Sequence, residues 1–148
     1  MPSFIVILLD LQMEFDLEQR LRQYYDAWSR QDIDAVMGFF TDASSYEDLG
    51  LAYKFEGLEQ IRSFVELTYA GSPDFRVQPT KIIVGDDGAA AAAGTYSGTH
   101  SGDYPGLPAT GKRFRVRAAS IINFDGDRIK TVVDYWNLVE FKRSVGLA

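Results

Sequence analysis

Cysteine is absent from this chain, and histidine occurs once, at position 100. The first absence removes disulfides, thiolate metal sites and cysteine nucleophiles, while permitting the cytoplasm, the expected location. The second removes any metal site built from several histidines. Excess positive charge is lacking as well. Fifteen Lys and Arg stand against 21 Asp and Glu, a formal net charge of −6. Nucleic acid and anionic membranes, both bound through surplus Lys and Arg, are therefore excluded as partners. No long apolar run occurs either. Phe4–Leu9 is too short to span a bilayer and has neither a basic flank nor a small-residue cleavage site. It is expected to be a short strand or a poorly ordered leader, with residues 1–14 forming an extension ahead of one domain over 15–148.

What is abundant is aromatic surface. Ten Phe, eight Tyr and two Trp make up 14% of 148 residues, within an apolar share of 46%. That composition belongs to a globular domain with a sizeable core, and aromatic side chains also line pockets for flat apolar ligands.

The first half reads as helical. Asp16-Leu-Glu-Gln19 has the form of a capping box, and Leu17, Leu21, Tyr24, Tyr25 and Trp28 follow at helical spacing. A second short helix is expected after Asp32 through Ile33, Val36, Met37 and Phe40, closed by Thr41-Asp42. A brief extended piece around Tyr46 comes next, then a third helix over Gly57–Tyr69. After Pro73 the pattern changes to strands: Phe75–Val84, Ala89–His100, Lys112–Phe124 and Arg128–Asn137, with hairpin signals at Gly85–Gly88 and Asp125–Asp127. Helices first and an antiparallel meander after them make an α+β layout. A strongly curved, mostly antiparallel sheet wrapped round N-terminal helices gives a cone-shaped barrel with one internal pocket. A short C-terminal helix follows, capped by Asn137 and Glu140 and ended by Gly146.

In TVVDYWNLVEF, residues 131–141, a carboxylate stands in the middle of an apparently buried strand. Aspartate is depleted from strands and seldom buried without a partner. A three-residue loop at Asp125–Asp127 would set Ser120 opposite Val132, with Asp134 its diagonal neighbour; a five-residue loop would set Ser120 directly opposite Asp134. Either register puts Asp134 on one face with Val132, Trp136 and Ser120. Desolvation there raises the pKa of a carboxylate towards the range useful to a general acid or base. A structural role, with a tyrosine or arginine satisfying the carboxylate, is the alternative. The opposite face shows Val133 and Tyr135, too apolar for open water, so a second copy of the protein is expected to cover it. Trp28, Phe40, Tyr46, Phe64, Tyr69, Tyr96 and Trp136 are the expected pocket lining. His100 suits proton transfer by type but is expected as polar surface by position. Lys112, Arg113, Arg115 and Arg117 read as a solvated strand face.

Several short pieces together resemble the SnoaL-like polyketide cyclase family of the nuclear-transport-factor-2-like superfamily. They are Gly98-Thr-His100, Gly106-Leu-Pro-Ala-Thr-Gly111, Asp125-Gly126 with Ile129, Asp134-Tyr-Trp-Asn-Leu and Val145-Gly146. Tyr24-Tyr25-Asp26-Ala27-Trp28, the Asp32–Phe40 segment and Gly57-Leu-Glu-Gln-Ile61 also fit, so the likeness covers about residues 15–147. The resemblance implies a conical α+β barrel, a helix-capped pocket and a homodimer. It implies closure of a polyketide ring by intramolecular aldol condensation, without metal or organic cofactor. The acid–base aspartate of such cyclases lies on the last strand, twelve residues before a terminal glycine. Asp134 holds that place relative to Gly146. Characterised cyclases can also carry a histidine fourteen residues before the aspartate, where this chain has Ser120. Serine can hydrogen-bond the carboxylate but holds no proton at neutral pH.

The expected function is thus cofactor-independent acid–base chemistry on a hydrophobic, polyketide-like carbonyl compound. Asp134 would move the proton, and Tyr96, His100 or Ser120 would donate to the enolate oxygen. A non-catalytic small-ligand-binding or dimerisation module of the same fold is the alternative. Epoxide opening would ask for a second carboxylate, for which Asp48 is the candidate.

Overall fold

The computed structural model describes residues 4–148, with side chains described from Leu17 onward. Helix α1 runs Phe4–Ser29. Phe4–Leu9, expected as a strand or leader, is helix, and Asp16-Leu-Glu-Gln19 lies within α1 rather than opening it. A capping box acts only where the chain upstream leaves helical geometry. The Leu, Gln, Met and Glu residues before Asp16 are good helix formers and carry the helix through. Beyond them Leu21, Tyr24, Tyr25, Ala27 and Trp28 form the buried stripe.

Helix α2 covers Ile33–Met37, with the Asp32 carboxylate accepting from the Ala35 amide at 3.0 Å. It ends sooner than expected. Gly38 follows, and Phe40 opens strand β1, Phe40–Asp48. β2 is Tyr53–Glu56 and α3 is Gly57–Gly71, which buries Ile61, Phe64, Val65 and Thr68 at helical spacing. The expected meander then follows as β3 (Arg76–Val84), β4 (Ala89–Thr99), β5 (Arg113–Asp125) and β6 (Arg128–Trp136). Ala89–Ala93 is strand despite the helix preference of alanine, because the turn at Gly85–Gly88 pairs Val84 with Ala90.

Among the described residues the six strands lie in the order β2-β1-β6-β5-β4-β3. All neighbours are antiparallel except β1 and β6, which run parallel. The extended piece around Tyr46 is therefore a nine-residue strand beside the last strand of the sheet, a pairing without a local hairpin signal. The sheet curls round α1 and α3, and α4 (Leu138–Val145) packs on β5. α4 opens on Asn137, whose side chain accepts from the amides of Val139 and Glu140, and ends at Gly146 with φ +79°. Only half of the expected capping box forms, because the Glu140 carboxylate is taken by Arg117.

The β5–β6 hairpin takes the one of the two expected registers that sets Ser120 opposite Asp134, but reaches it by a tighter turn than the five-residue loop that register was expected to need. Asp125 pairs with Arg128, leaving a two-residue turn with Gly126 at φ +61°. Asn123 pairs with Thr131 while Phe124 pairs with Ile129, so Lys130 is the extra residue of a β-bulge. That single residue moves the register by one. Ser120 and Asp134 come directly opposite each other, and Ile129 and Val132 both face the core despite their odd spacing.

Candidate active site

β6 lies between β5 and β1, so each residue on its inner face meets a neighbour from both sides. Asp134 stands opposite Ser120 of β5 and in register with Asp48 of β1. It is 3% exposed. One carboxylate oxygen, Oδ1, accepts from the Ser120 hydroxyl at 2.6 Å, and the other, Oδ2, accepts from the Tyr46 hydroxyl. Tyr46 sits diagonally across on β1, within reach because inner-face residues of adjacent strands converge. Behind Ser120, the Tyr96 hydroxyl is 3.4 Å from Ser120 Oγ. Ser120 gives its own hydrogen to the carboxylate, so the chain runs Tyr96 to Ser120 to Asp134.

These donors stabilise the charged carboxylate; burial opposes them and is the larger effect. The nearby Asp48 charge adds to the opposition, and the Asp134 pKa is pushed up to about 7. Near neutral pH the group is therefore present in both protonation states, as a group that takes and returns a proton must be. No cation pairs with it among the described residues.

Asp48 is the second buried carboxylate, 4% exposed. The Trp136 indole N–H lies 3.0 and 3.1 Å from its two oxygens, and the Leu51 amide donates at 2.8 Å. Burial raises its pKa and these donors partly offset the rise. The turn between β1 and β2 folds onto this pair so closely that a Cβ at Gly50 would lie 2.0 Å from the Trp136 ring.

Asp134 and Asp48 share an apolar cavity with Tyr24, Trp28, Tyr46, Phe64, Tyr96 and Trp136. Centres of water-sized molecules fit within it over about 70 Å³, several times the ~10–15 Å³ that a single water requires. Of the seven expected lining residues, Trp28, Tyr46, Phe64, Tyr96 and Trp136 are on its wall. Phe40 and Tyr69 are not: Phe40 is core, packed on Tyr24 and Tyr46, and the Tyr69 hydroxyl donates to the Trp28 carbonyl at 2.8 Å. Ser120 is set behind the carboxylate, facing a smaller cleft with Tyr25 and Tyr96.

His100 is not on the cavity wall, and it is not surface. It is fully buried, with Nε2 donating to the Leu107 carbonyl at 3.1 Å and Nδ1 bonded to the Thr110 hydroxyl at 3.2 Å. Its ring stacks on Tyr104 with centroids 5.4 Å apart. The histidine thus pins the 102–111 connection, and that connection delivers Tyr104 and Leu107 to the cavity. The basic stripe on β5 is solvated, with Arg113 beside Asp74 and Arg117 beside Glu140. No group of three His, Cys, Asp or Glu able to hold a metal occurs among the described residues. Nor is any helix there long and apolar enough to cross a membrane.

Sequence reasoning passed over Tyr24, Tyr25, Tyr104 and Phe141 as lining. For Tyr104 and Phe141 nothing local signals it, since one comes from a loop and the other from α4. Tyr24 and Tyr25 were visible as the buried stripe of α1, but helical periodicity does not separate a core position from a cavity wall.

Comparison with known proteins agrees with this fold. A SnoaL-like polyketide cyclase protein of Jannaschia sp., so assigned, superimposes with a TM-score of 0.81 at 16% identity, covering 92% of this chain and 95% of that one. A Xanthomonas campestris protein assigned as a polyketide cyclase gives 0.76 at 23%, covering 89% and 98%. A Catenulispora acidiphila protein with a ketosteroid isomerase-like fold, solved in complex with trimethylamine, gives 0.77 at 22%, covering 87% and 93%. No curated protein matches the chain. The family described as SnoaL-like polyketide cyclase matches residues 18–145, a span holding α3, α4 and every strand of the cavity, and the chain belongs to that family.

Proposed function

We propose that the cavity performs cofactor-independent proton transfer next to a carbonyl group of a flat, hydrophobic, polyketide-like substrate, with Asp134 as the acid–base residue. The observation that carries this reading is the buried Asp134 carboxylate, poised near pH 7 between two hydroxyl donors on the wall of an aromatic cavity. The Tyr46 hydroxyl is a partner that a purely structural aspartate would also take; what favours acid–base work is that Asp134 has no cation partner among the described residues and lies on the cavity wall. Ser120, in the place where cyclases can carry a histidine, orients the carboxylate and lowers its pKa without storing a proton. His100, bonded through both ring nitrogens, serves the loop and takes no part in the reaction. Tyr46 and Ser120 are positioning residues, and Trp28, Phe64, Tyr96 and Trp136 form the apolar walls.

The test uses hydrogen exchange at carbon, which requires no knowledge of the final product. Incubated in D2O with a panel of cyclic ketones and β-diketones, the wild-type protein is expected to exchange α-protons of its preferred compound. An Asp134→Asn variant should be slower by roughly 10²–10⁴-fold, the usual contribution of a general acid–base. Undiminished exchange by that variant overturns the role.

A hydrolytic reading has one observation in its favour: Asp48 stands in register beside Asp134, and epoxide opening asks for a second carboxylate. Both Asp48 oxygens are held by the Trp136 indole, which places the carboxylate as support for the wall. Incorporation of ¹⁸O from solvent into product would favour hydrolysis. For assembly, we infer that a second copy covers the outer sheet face, where Ile83, Ile121 and Tyr135 are 43–56% exposed.

A further inference from the structure

Tyr104-Pro-Gly-Leu107, in the connection between β4 and β5, is a turn written into the sequence. Proline fixes φ at its second position, and Gly106 takes φ +71° at its third. The Leu107 amide donates to the Tyr104 carbonyl at 2.9 Å, and the Tyr104 amide to the Leu107 carbonyl at 3.1 Å. Residues opposed in this way share a face, and Tyr104 and Leu107 both stand on the cavity wall. The turn is seated on the end of α3. There the Gly71 carbonyl accepts from the amides of Ser101 and Gly102 at 3.1 and 3.0 Å. A Cβ at Gly71 would lie 2.4 Å from the Tyr104 ring, and one at Gly102 would lie 2.1 Å from the Ala70 carbonyl oxygen. Both approaches need glycine, so the ring lies in a slot cut for it. The Tyr104 hydroxyl donates to Ser72 Oγ at 2.7 Å, and the ring packs on His100 and Phe141 with centroids 5.4 and 6.0 Å away.

That slot is distant from the carboxylates. Ser72 borders Gly98, where a Cβ would lie 3.2 Å from the serine, and Gly98 pairs with Phe114 of β5. Ser120, opposite Asp134, stands six positions further along β5, about 20 Å at strand rise. Val116 and Phe114 line the cavity along the way, and its only charged lining residues are Asp48 and Asp134, in register with each other. The cavity therefore has a carboxylate end and an aromatic end.

We propose that Tyr104 is a specificity-determining residue: with the reacting carbon at Asp134, its ring stops the far end of the substrate and sets the greatest length the cavity accepts. Which end of the substrate reacts rests on the acid–base reading of Asp134; the length limit does not. A ring seated against the backbone of α3 yields little, so forcing a further ring past it overpacks the wall. The substrate class follows: a flat apolar ketone that reaches from Asp134 towards Phe114, ends there, and carries no charge at that end.

1-Tetralone and 6-phenyl-1-tetralone test the limit. They share the ketone and its α-carbon, and the phenyl group lengthens the molecule on the side away from them. Fluorescence titration is expected to show wild type binding the short ketone about tenfold or more tighter than the long one. Tyr104→Ala should lower that ratio by about tenfold or more, and Tyr104→Phe, which keeps the ring, should hold it within about twofold. Tyr104→Leu, a milder truncation, should lower the ratio in the same direction and serves where the alanine variant does not fold. A merely structural tyrosine would give the opposite pattern, a lower melting temperature with the ratio unmoved. An unchanged ratio in the truncated variants, no length preference in wild type, failure of wild type to bind either ketone, or loss of folding in both truncations each overturns the assignment. Exchange of the 1-tetralone α-protons in D2O keeps the two readings apart. If Asp134→Asn abolishes exchange while the truncations keep the wild-type ratio, Tyr104 fails and Asp134 stands. If exchange survives in Asp134→Asn while the truncations lose the ratio, the length limit stands and the acid–base reading fails.

Discussion

Burial and hydroxyl donors act on Asp134 in opposite directions, and the balance makes its pH behaviour testable. Acting as a base, it must be ionised, so kcat/KM for α-proton exchange is expected to rise with pH through about 7 and level off above. Ser120→Ala and Tyr46→Phe each remove a donor that favours the charged form. Both should move that midpoint alkaline, and unchanged profiles would show the donors to be idle. The same shift affects folding. The Asp134 pKa is higher folded than unfolded, so its contribution is most favourable below about pH 4, where both states hold the proton. Stability then falls as pH rises from about 4 to about 7, by an order of a few kcal/mol, and changes little above. Asp134→Asn cannot ionise. Its melting temperature relative to wild type should therefore increase from pH 5 to pH 8, a comparison open to calorimetry. At this scale the sequence was most informative: Asp134 and its neighbour Ser120 stand out as polar residues on an apolar strand face. The identity of the carboxylate's other partner, Tyr46, was not legible, because nothing in one strand's pattern says which strand lies beside it.

Among the elements, the β5–β6 hairpin and the helix after it carry most of the positioning. Asn137 accepts from two amides at the start of α4, and Asn137→Ala is expected to cost about 1 kcal/mol, a fall in melting temperature of a few degrees. A loss within error would mean that packing of Phe141 and Val145 alone holds the helix. The cap, the Gly146 stop and both hairpins were legible because each depends on a few adjacent residues. Two features were not. The bulge at Lys130 has no sequence signature, since an exposed lysine just after a hairpin turn reads like any solvated position, yet it decides that Ser120 faces Asp134. The start of α1 was misplaced because a capping box is written in four residues, whereas the helix that overrides it is set by propensity over a longer window.

For the whole molecule, the α+β architecture and the curled sheet followed from helices preceding a run of hairpin-linked strands. The partnership of β1 with β6 did not, being parallel and distant. On the outer face Tyr135 lies across from Ala119, and Ile121 across from Val133 and Ala91, giving a continuous apolar surface. Light scattering is expected to give twice the monomer mass, and Ile121→Glu with Tyr135→Lys to shift it to the monomer. A wild-type monomer at micromolar concentration would set the dimer aside. The parallel pairing has a further consequence for the order in which the protein is made. Tyr46 and Asp134 are 88 positions apart, and loop closure over such a separation is slow. Asp134 is carried by β6, the last of the described strands to emerge from the ribosome, and it loses its water only when that strand docks between β1 and β5. Until then the aromatic lining is open on one side. Docking of β6 therefore both seals the hydrophobic wall and arms the carboxylate, so a chain stalled before β6 is sticky and inert together.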